Sequence, residues 1–463
     1  MKKQSPKAKT PKSNAFTLIE AMVFLFIFSI ITTTFYSVIT LGTGYIMEAK
    51  NRLGALALAN EKMEIIHNLE YDDIGTITGI PPGSIVESED VVSGGKTFHV
   101  KTIVQYIDDD FDGVLPADSI PEDYKRAKIT VSWEGFEATS RSVYLVSDFT
   151  PPSLEVNSGD GILVINIIDG AGVGVPQAQV HIVNDYISPE IDLTQNTNNS
   201  GILMFPGAKP SQWGYAITVS KNGYETVSTV DPDSVAYAPK DSHASVIAGS
   251  LNTASVIIDK LADLKIKSAD YLGSPIPGLN FHIKGGREIG TEIPSFPLNF
   301  VYDLDSDEST GSGGEKNFDD RSPGRQFFLS NIESISEKTL IGAYPIIGFE
   351  SATSTYEFSL LPDESKTVEI KFADNNTDSL LVKVVRDDDN SPVNNAQVKL
   401  TNVDGYDETV STSFDGVAFF PVNGEPFLPG AYTLEVTESG FQNYSSSVDI
   451  DKLTIEEVKL DPN

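Results

Sequence analysis

NAFTLIEAMVFLFIFSI, residues 14–30, is the stretch that decides how this chain begins. It belongs to an apolar run of 32 residues, 16–47, in which Glu20 is the only charged side chain. At ~1.5 Å per residue, such a run is long enough for one helix to cross the ~30 Å hydrocarbon core of a membrane. A carboxylate inside lipid costs ~2.5 kcal/mol or more, so Glu20 requires a compensating partner.

The residues before this run are basic. Five lysines and no acidic residue precede it: Lys2, Lys3, Lys7, Lys9 and Lys12. This asymmetry keeps an N-terminus in the cytoplasm and sends the following polypeptide across the membrane. We therefore expect a single-pass protein of the cytoplasmic membrane with its N-terminus inside. A cleaved secretory signal, whose apolar region is about 7–15 residues long, and an ordinary uncleaved anchor are alternatives, but neither explains Glu20.

Residues 12–20, KSNAFTLIE, resemble the processing site of type IV pilins and pseudopilins. In that family a prepilin peptidase cuts just before the apolar run, the new first residue is usually Phe, and the fifth is Glu. The resemblance implies a cut between Ala15, where the family usually has Gly, and Phe16. It also implies assembly into a filament, in which the new amine of Phe16 pairs with Glu20 of a neighbouring subunit. A buried acid costs much less when it is paired.

The helix is expected to continue beyond the apolar run. Apolar residues recur there at spacings of three and seven: Leu53, Leu56, Met63, Ile66 and Leu69. This pattern predicts one helix over residues 16–68, roughly 80 Å long at ~1.5 Å per residue, with the membrane span at 16–47. Gly42 and Gly44 are weak helix positions, and they either introduce a kink or local melting or simply end the span.

Short β patterns follow the helix. Three stretches have the alternation and β-branched content of strands: residues 96–107, 127–133 and 141–147. A turn at Gly94 and Gly95 precedes the first of them. We therefore predict an α+β pilin-like unit, in which the long helix packs on a small antiparallel sheet formed by residues 69–148. Two short words, LEYDD at 69–73 and DYKRAKITVSW at 123–133, also resemble minor pilins of this family.

The acidic stretch DDDFDG matches the opening of a calcium-binding loop. In such a loop the oxygens of Asp108, Asp110 and Asp112 converge on the ion, and the following Gly permits the turn. Position twelve is Ser119 rather than Glu, so Asp118 or Glu122 would have to complete the set. A solvated acidic turn is the alternative interpretation. Calcium is the only cofactor that the sequence suggests.

The rest of the chain repeats itself. Residues 162–226 and 380–444 share one order of parts: strand, Pro-containing turn, strand, Gly turn, strand, and a Gly-aromatic pair. Residues 264–349 give a looser copy. The spacing is that of an antiparallel β-sandwich, and the pattern resembles carboxypeptidase-regulatory-like, transthyretin-type modules. The residues that carry this resemblance are Pro176, Ala178, Val180, Ser200-Gly201 and Gly223-Tyr224 in the first copy, and Pro392, Ala396, Val398, Asp415-Gly416 and Gly440-Phe441 in the last.

These repeats predict three all-β sandwich modules in tandem, at residues 149–258, 259–373 and 374–463. The middle module carries an insertion at residues 302–325, which is rich in Asp, Ser and Gly. Such a composition predicts an exposed, mobile loop, and this loop is one place to test for adhesion.

Charge and composition exclude several functions. The formal charge is −33, and without the five N-terminal lysines 28 basic residues oppose 66 acidic ones, which gives −38. Because a protein with this much negative charge is repelled by nucleic acid, we expect no nucleic-acid partner. The chain has no Cys, which excludes disulfides and thiolate metal sites. Its five His are scattered, and neither H-E-x-x-H nor G-x-S-x-G occurs, so we expect no catalysis.

The sequence thus predicts a minor pilin or pseudopilin subunit of a type IV pilus or a related secretion or competence filament. The leader at residues 1–15 is cleaved, and the β modules are displayed at the cell surface, where adhesion is one role. The expected partners are prepilin peptidase, other pilin or pseudopilin subunits, the inner-membrane assembly platform, membrane lipid and an unknown surface ligand. The alternatives are an uncleaved single-span surface binding protein and, less favoured, an extracellular enzyme with accessory β modules.

Overall fold

The computed structural model describes residues 17–77, 79–109, 122–135, 139–152, 160–293, 299–422 and 427–463. The chain divides into two compact units, Met1–Val156 and Asn157–Asn463. The described part of the first unit contains a long helix, a 3₁₀ turn at Tyr71–Asp73 and a four-stranded sheet, and that of the second consists of β-sheets and their connections. The predicted order of one long helix followed by many strands is confirmed.

The helix α1 (Leu18–His67) is 50 residues long. Thr17 is extended and caps the first turn, and Asn68 closes the last turn by donating its backbone N–H to the carbonyls of the turn before it. The helix runs through Gly42 and Gly44 without interruption, so the local melting considered there is not observed. Its bounds differ from the predicted helix by one residue at the end, whereas Phe16 lies outside the described residues.

Four antiparallel strands follow: β1 (Ser88–Ser93), β2 (Lys96–Ile107), β3 (Tyr124–Glu134) and β4 (Ser140–Phe149), adjacent in that order. The three predicted strands lie within β2, β3 and β4 and are confirmed. Gly94 and Gly95 form the two-residue turn between β1 and β2 with φ of +60° and +81°. A two-residue hairpin turn of this kind needs positive φ at both residues, which explains the glycine pair.

Only the C-terminal part of α1 packs on this sheet. Ala55 and Ala59 are fully buried, and Ile66 is 2% exposed. The small alanines let the helix approach the sheet closely, where alternate residues of β2 and β3 point inward. At the end of the core, Phe98 and Trp133 meet edge to face, with ring centroids 6.1 Å apart. The apolar residues before this segment have no such partner among the residues of the unit that the structure describes.

The second unit begins with nine strands: β5 (Gly161–Ile168), β6 (Gln179–Asn184), β7 (Ile191–Asn196), β8 (Ile202–Ala208), β9 (Ser211–Ser220), β10 (Val227–Ser228), β11 (Tyr237–Pro239), β12 (Ala244–Val246) and β13 (Leu251–Ile257). Their sheets have the orders β13-β5-β8 and β10-β9-β6-β7, with β12 beside β9. Strand β11 belongs to neither sheet and instead joins a sheet formed by later residues.

Nine further strands follow: β14 (Ala262–Asp270), β15 (Asn280–Glu292), β16 (Phe300–Ser309), β17 (Glu315–Arg321), β18 (Gly324–Ser330), β19 (Lys338–Tyr344), β20 (Gly348–Glu350), β21 (Thr355–Leu360) and β22 (Ser365–Asp374). They form the sheets β17-β14-β22-β19 and β11-β15-β18-β21-β20, with β16 beside β15. Both sheets contribute to one core, which includes Ile266, Phe327 and Phe372.

The last seven strands are β23 (Ser379–Arg386), β24 (Gln397–Thr401), β25 (Asp407–Ser411), β26 (Val417–Phe420), β27 (Gly430–Thr437), β28 (Tyr444–Ile450) and β29 (Leu453–Leu460). Their sheets have the orders β26-β23-β29 and β25-β24-β27-β28. Val382 and Phe420 from the first sheet and Leu434 from the second meet in a single core.

Each group of strands contains one parallel pair, which corrects the expected purely antiparallel arrangement. The first and last strands of each group run side by side in the same direction: β5 with β13, β14 with β22, and β23 with β29. Alternation of apolar and polar residues sets which face of a strand is buried, but it is the same for both directions of pairing. The sequence pattern therefore could not give the direction of these pairs.

The prediction of an exposed, mobile loop at residues 302–325 is also wrong, because this insertion forms strands. It contributes most of β16, all of β17 and the start of β18. Leu304 is 6% exposed and Phe318 is 4% exposed, so both belong to the core. Cross-strand cations compensate the acidic side chains, as in the pair of Glu308 with Lys316 at 2.5 Å. The high content of Asp and Gly concealed two strands that alternate between buried and exposed residues.

A buried threonine closes an equivalent turn in each group of strands. The hydroxyls of Thr197, Thr310 and Thr412 accept the backbone N–H groups of Ala178, Leu279 and Ala396 at 3.0, 3.0 and 2.9 Å. They donate to the carbonyls of Val175, Ile276 and Val393 at 2.8, 3.3 and 2.6 Å. Four residues later in each case stands a glycine with positive φ: Gly201, Gly314 and Gly416. The word T-x-x-x-G therefore marks all three copies, including the looser one.

Candidate assembly site

The start of α1 is a capped, acidic turn. Thr17 has φ −79° and ψ 153°, and its Oγ1 accepts the backbone N–H of Glu20 at 3.3 Å. The Glu20 side chain lies in this first turn and is exposed. A carboxylate is favoured there because the helix dipole is positive at its N-terminus. The spacing T-x-x-E is that of a capping box, and this signal in the sequence identifies Thr17 as the N-cap.

Glu20 thus has a local role as well as the predicted intermolecular one. The other two residues of the predicted processing and assembly site, Ala15 and Phe16, lie outside the described residues. The pairing of Phe16 with Glu20 stays a prediction. The local role matters for testing, because replacing Glu20 by Ala removes both the charge and a residue of the first turn.

The apolar half of the helix is uncovered. Leu18 is 82% exposed, Phe24 68% and Tyr45 74%, and consecutive residues around the helix are exposed alike. This helix is long and apolar enough to cross a membrane by length and composition, and none of its most apolar window is buried. Exposed apolar surface on every side of a helix is unfavourable in water, so this half requires an apolar environment such as lipid.

The threonines of this half satisfy their own hydroxyls. Thr32, Thr33 and Thr34 donate to the carbonyls four residues earlier at 2.8, 2.8 and 2.9 Å. Thr40 and Thr43 do the same at 2.9 and 3.1 Å. A hydroxyl bonded in this way leaves no unpaired donor in an apolar environment. The run of threonines is therefore compatible with burial among lipids or helices.

The two short words that resemble minor pilins meet in the first unit. Lys125 lies in β3, and its Nζ donates to the carbonyl of Tyr71 at 2.8 Å. The same Nζ stands 4.5 Å from the centre of the Tyr71 ring and 5.7 Å from that of Tyr106. Burial lowers the pKa of Lys125 to about 8, although Asp72 and Asp73 act in the opposite direction. Burial is also the main reason why the pKa of Tyr106 is raised.

The proposed calcium ligands are only partly visible. Asp108 directly follows β2, whereas Asp110, Asp112 and Asp118 lie outside the described residues. The two ends of the stretch meet, because the backbone N–H of Asp109 donates to Asp123 Oδ2 at 2.5 Å. Within the described ranges, no group of three or more His, Asp or Glu side chains is placed to hold a metal ion.

Several histidine rings stand beside polar side chains, on the surfaces of the sheets and at the end of α1. The ring of His181 lies 2.8 Å from Asp192 Oδ1, and that of His67 lies 3.1 Å from Ser147 Oγ. His282 lies between two acids of β16, Asp305 at 3.2 Å and Asp307 at 2.9 Å. The contacts of His181 and His282 join neighbouring strands, whereas that of His67 joins the end of α1 to β4. These histidines come from different parts of the fold.

Comparison with known proteins identifies the start of the chain. Residues 10–36 match the protein-family model of the prokaryotic N-terminal methylation motif. This match includes Glu20 and the first part of α1. The chain therefore carries a prepilin-type processing signal at the head of its apolar helix.

No curated protein sequence matches the chain. Among solved structures, the Bacillus anthracis TIE protein is 14% identical, with 80% of this chain and 72% of that chain covered and a TM-score of 0.20. A streptococcal ancillary pilin is 13% identical, with 66% and 99% covered and a TM-score of 0.19. The minor pilin GBS52 of Streptococcus agalactiae is 14% identical, with 44% and 96% covered and a TM-score of 0.16.

Proposed function

We propose that this protein is a minor pilin or pseudopilin, which inserts in the cytoplasmic membrane, is cut by prepilin peptidase and joins a filament through α1. One observation carries the proposal. A prepilin-type motif at residues 10–36 leads into a helix half that none of the described residues of its own unit covers, while the other half packs on the sheet. Such a helix is suited first to lipid and then to a core of packed helices.

The position of the cut is the first test. Cleavage between Ala15 and Phe16 removes the lysine-rich leader and creates an α-amino group on Phe16. Mass spectrometry of the protein from its native host should find Phe16 at the mature N-terminus. An intact Met1, or a cut after Gly44, contradicts the proposal and favours the uncleaved single-span surface protein.

Glu20 is proposed to pair with the Phe16 amine of a neighbouring subunit. Glu20→Gln keeps a hydrogen-bond acceptor in the first turn but removes the charge, so it separates pairing from capping. We expect this variant to insert in the membrane normally and to be lost from isolated filaments by tenfold or more. The matched control is Glu61→Gln, an exposed acid on the same helix outside the apolar run. Normal incorporation of Glu20→Gln contradicts the pairing.

The β repeats are proposed to form three sandwich modules that the filament displays. About 300 residues beyond the pilin-like unit would crowd a close-packed shaft, so the subunit is proposed to be of low abundance or at the tip. Its partners are then prepilin peptidase, the other subunits, the assembly platform and membrane lipid. Adhesion to a surface ligand is proposed by analogy alone.

Two further parts of the proposal concern chemistry. The protein is proposed to catalyse no reaction, and a hydrolase screen of the purified chain that finds activity would favour the enzyme alternative. Calcium is proposed to bind at Asp108, Asp110, Asp112 and Asp118. Isothermal titration with calcium should release heat that Asp110→Asn abolishes, whereas the absence of both heat and a thermal shift in the unaltered chain rules the site out.

A further inference from the structure

Arg287, in β15, reaches out of its own sheet to two acids of the preceding strand group. Its Nη1 lies 2.9 Å from Glu225 Oε1, and its Nη2 lies 2.8 Å from Asp241 Oδ2. The side chains of Arg287, Glu225 and Asp241 are only 14%, 4% and 15% exposed. Nη1 also donates to the carbonyl of Ile257 at 2.9 Å. One guanidinium is therefore held by three groups from residues 225–257.

The same carboxylate oxygen of Glu225 has a second partner. Its Oε1 accepts the backbone N–H of Asp259 at 3.0 Å, and its own N–H donates to the carbonyl of Asp259 at 2.9 Å. Asp259 lies in the short connection between β13 and β14. The carboxylate that receives Arg287 is thus fixed to the very segment that would have to bend if the two strand groups moved relative to each other.

A second device crosses the same junction. Strand β11 leaves the first group and pairs antiparallel with β15, Ala238 opposite Thr291. Beyond the strand, the N–H of Lys240 donates to the carbonyl of Ile289 at 2.9 Å. A Cβ added at Gly290 would lie 2.4 Å from the carbonyl oxygen of Ala238, so the absence of a side chain there lets β11 approach.

We propose that Arg287 and β11 together lock the first two strand groups, residues 161–257 and 262–374, into one rigid body. The connection between the groups is short, and without the lock it would act as a hinge. A buried guanidinium with two carboxylates cannot separate without leaving unpaired charges in a poorly solvated place, so small rotations are costly. The inference goes beyond the proposed role in a filament, because it concerns how this part of the chain resists bending.

Pulsed electron-electron double resonance, which measures the distance between two spin labels, tests the lock on the full chain in detergent. The chain contains no Cys, so two introduced cysteines take spin labels at chosen positions only. Val173→Cys and Leu272→Cys, exposed by 62% and 59%, place one label in each strand group. Leu272→Cys with Ile347→Cys reports on the second group alone. We expect a single narrow distance distribution from both pairs.

Arg287→Ala removes the ion cluster, and Gly290→Val places a side chain where β11 now lies. We expect each to widen the distribution between the groups at least twofold while the pair within the second group stays narrow. Arg386→Ala is the matched control, since Arg386 pairs with Asp388 at 2.8 Å within the third group. An unaltered chain with a broad distribution, or variants that both stay narrow, overturns the lock. If Arg287→Ala also widens the distance distribution of the label pair within the second group, this variant disturbs the group itself. In that case the result with Gly290→Val alone decides whether the lock exists.

Discussion

Lys125 shows how one residue can make the stability of the first unit depend on pH. Its pKa is about 8 in the folded protein, against an ordinary value of 10.5. Between these values the unfolded chain keeps the proton that the folded chain has lost, so the free energy of unfolding rises with pH. Tyr106, with its raised pKa, acts in the opposite direction above pH 10.

We therefore compare the free energy of unfolding of the unaltered chain with that of Lys125→Met. The value for the unaltered chain should rise by roughly 2 kcal/mol relative to the variant between pH 7 and pH 9.5. Chemical denaturation of the full chain in detergent measures this difference. All variants carry Trp213→Phe, so that the fluorescence of Trp133 alone reports unfolding of the first unit. Lys128→Met, at a half-buried lysine of the same strand, serves as the control. A difference that is constant across this pH range contradicts the buried, destabilised charge.

Residues such as Glu20 and Lys125 differ in how far the sequence reveals them. Glu20 is visible because an acid inside an apolar run is rare, and T-x-x-E also identifies Thr17 as its cap. The contact of Lys125 with Tyr71 joins positions 54 residues apart. No local pattern encodes such a contact, so only the fold shows it. The same holds for Arg287 and the acids that receive it.

At the scale of elements, the glycine of the T-x-x-x-G turn should be irreplaceable. Gly314 has φ +68°, and an added Cβ would lie 2.6 Å from the carbonyl oxygen of Ser268. The left-handed conformation alone costs another residue about 1–2 kcal/mol, and the contact adds to this. We expect Gly314→Ala to lower the free energy of unfolding of the second unit by at least that amount, measured by chemical denaturation.

The neighbouring glycine provides a control for this turn. A Cβ on Gly313 would meet no atom within 4 Å. Gly313→Ala should therefore change stability by less than about 0.5 kcal/mol. Equal effects at the two positions would show that the turn tolerates side chains and that the hydrogen bonds of the Thr310 hydroxyl do not fix its conformation.

The two halves of α1 should respond differently to truncation of an isoleucine. Ile66 is 2% exposed in the core of the first unit, whereas Ile27 is 50% exposed in the uncovered half. Ile66→Ala should cost about 2–5 kcal/mol of unfolding free energy, because it opens a cavity. Ile27→Ala should leave unfolding of the first unit unchanged and should reduce incorporation into filaments instead. A large loss of stability from Ile27→Ala contradicts the division of the helix.

Elements were predictable where a local signal exists. The long apolar run, the helical spacing after it and the alternation of β2 gave bounds close to those observed. Two features escaped. The parallel pairs join strands far apart in sequence, and strands rich in Asp looked like a loop because composition outweighed alternation in residues 302–325. The division into three modules and its boundaries stays a proposal, and β11 crosses one of those boundaries.

At the scale of the whole molecule, charge should govern how copies of the chain meet. The formal charge is −33, and the proposed cleavage of the leader would make it −38 by removing five lysines. Two such molecules repel each other within a Debye length, about 10 Å at 0.1 M salt and about 3 Å at 1 M. Adjacent copies in one filament are therefore unfavourable at low salt, which supports a subunit that is interspersed among others or placed at an end.

This repulsion can be measured on the detergent-solubilised full chain by static light scattering. We expect a positive second virial coefficient at about 0.02 M NaCl that falls steadily as salt approaches 0.5 M, because screening removes the repulsion. Empty micelles of the same detergent provide the background. Magnesium at equal ionic strength should act as sodium does or more strongly. A coefficient that does not change with salt would mean that the acidic residues are already neutralised by bound cations or by one another, and the electrostatic argument for a low-abundance subunit would then be lost.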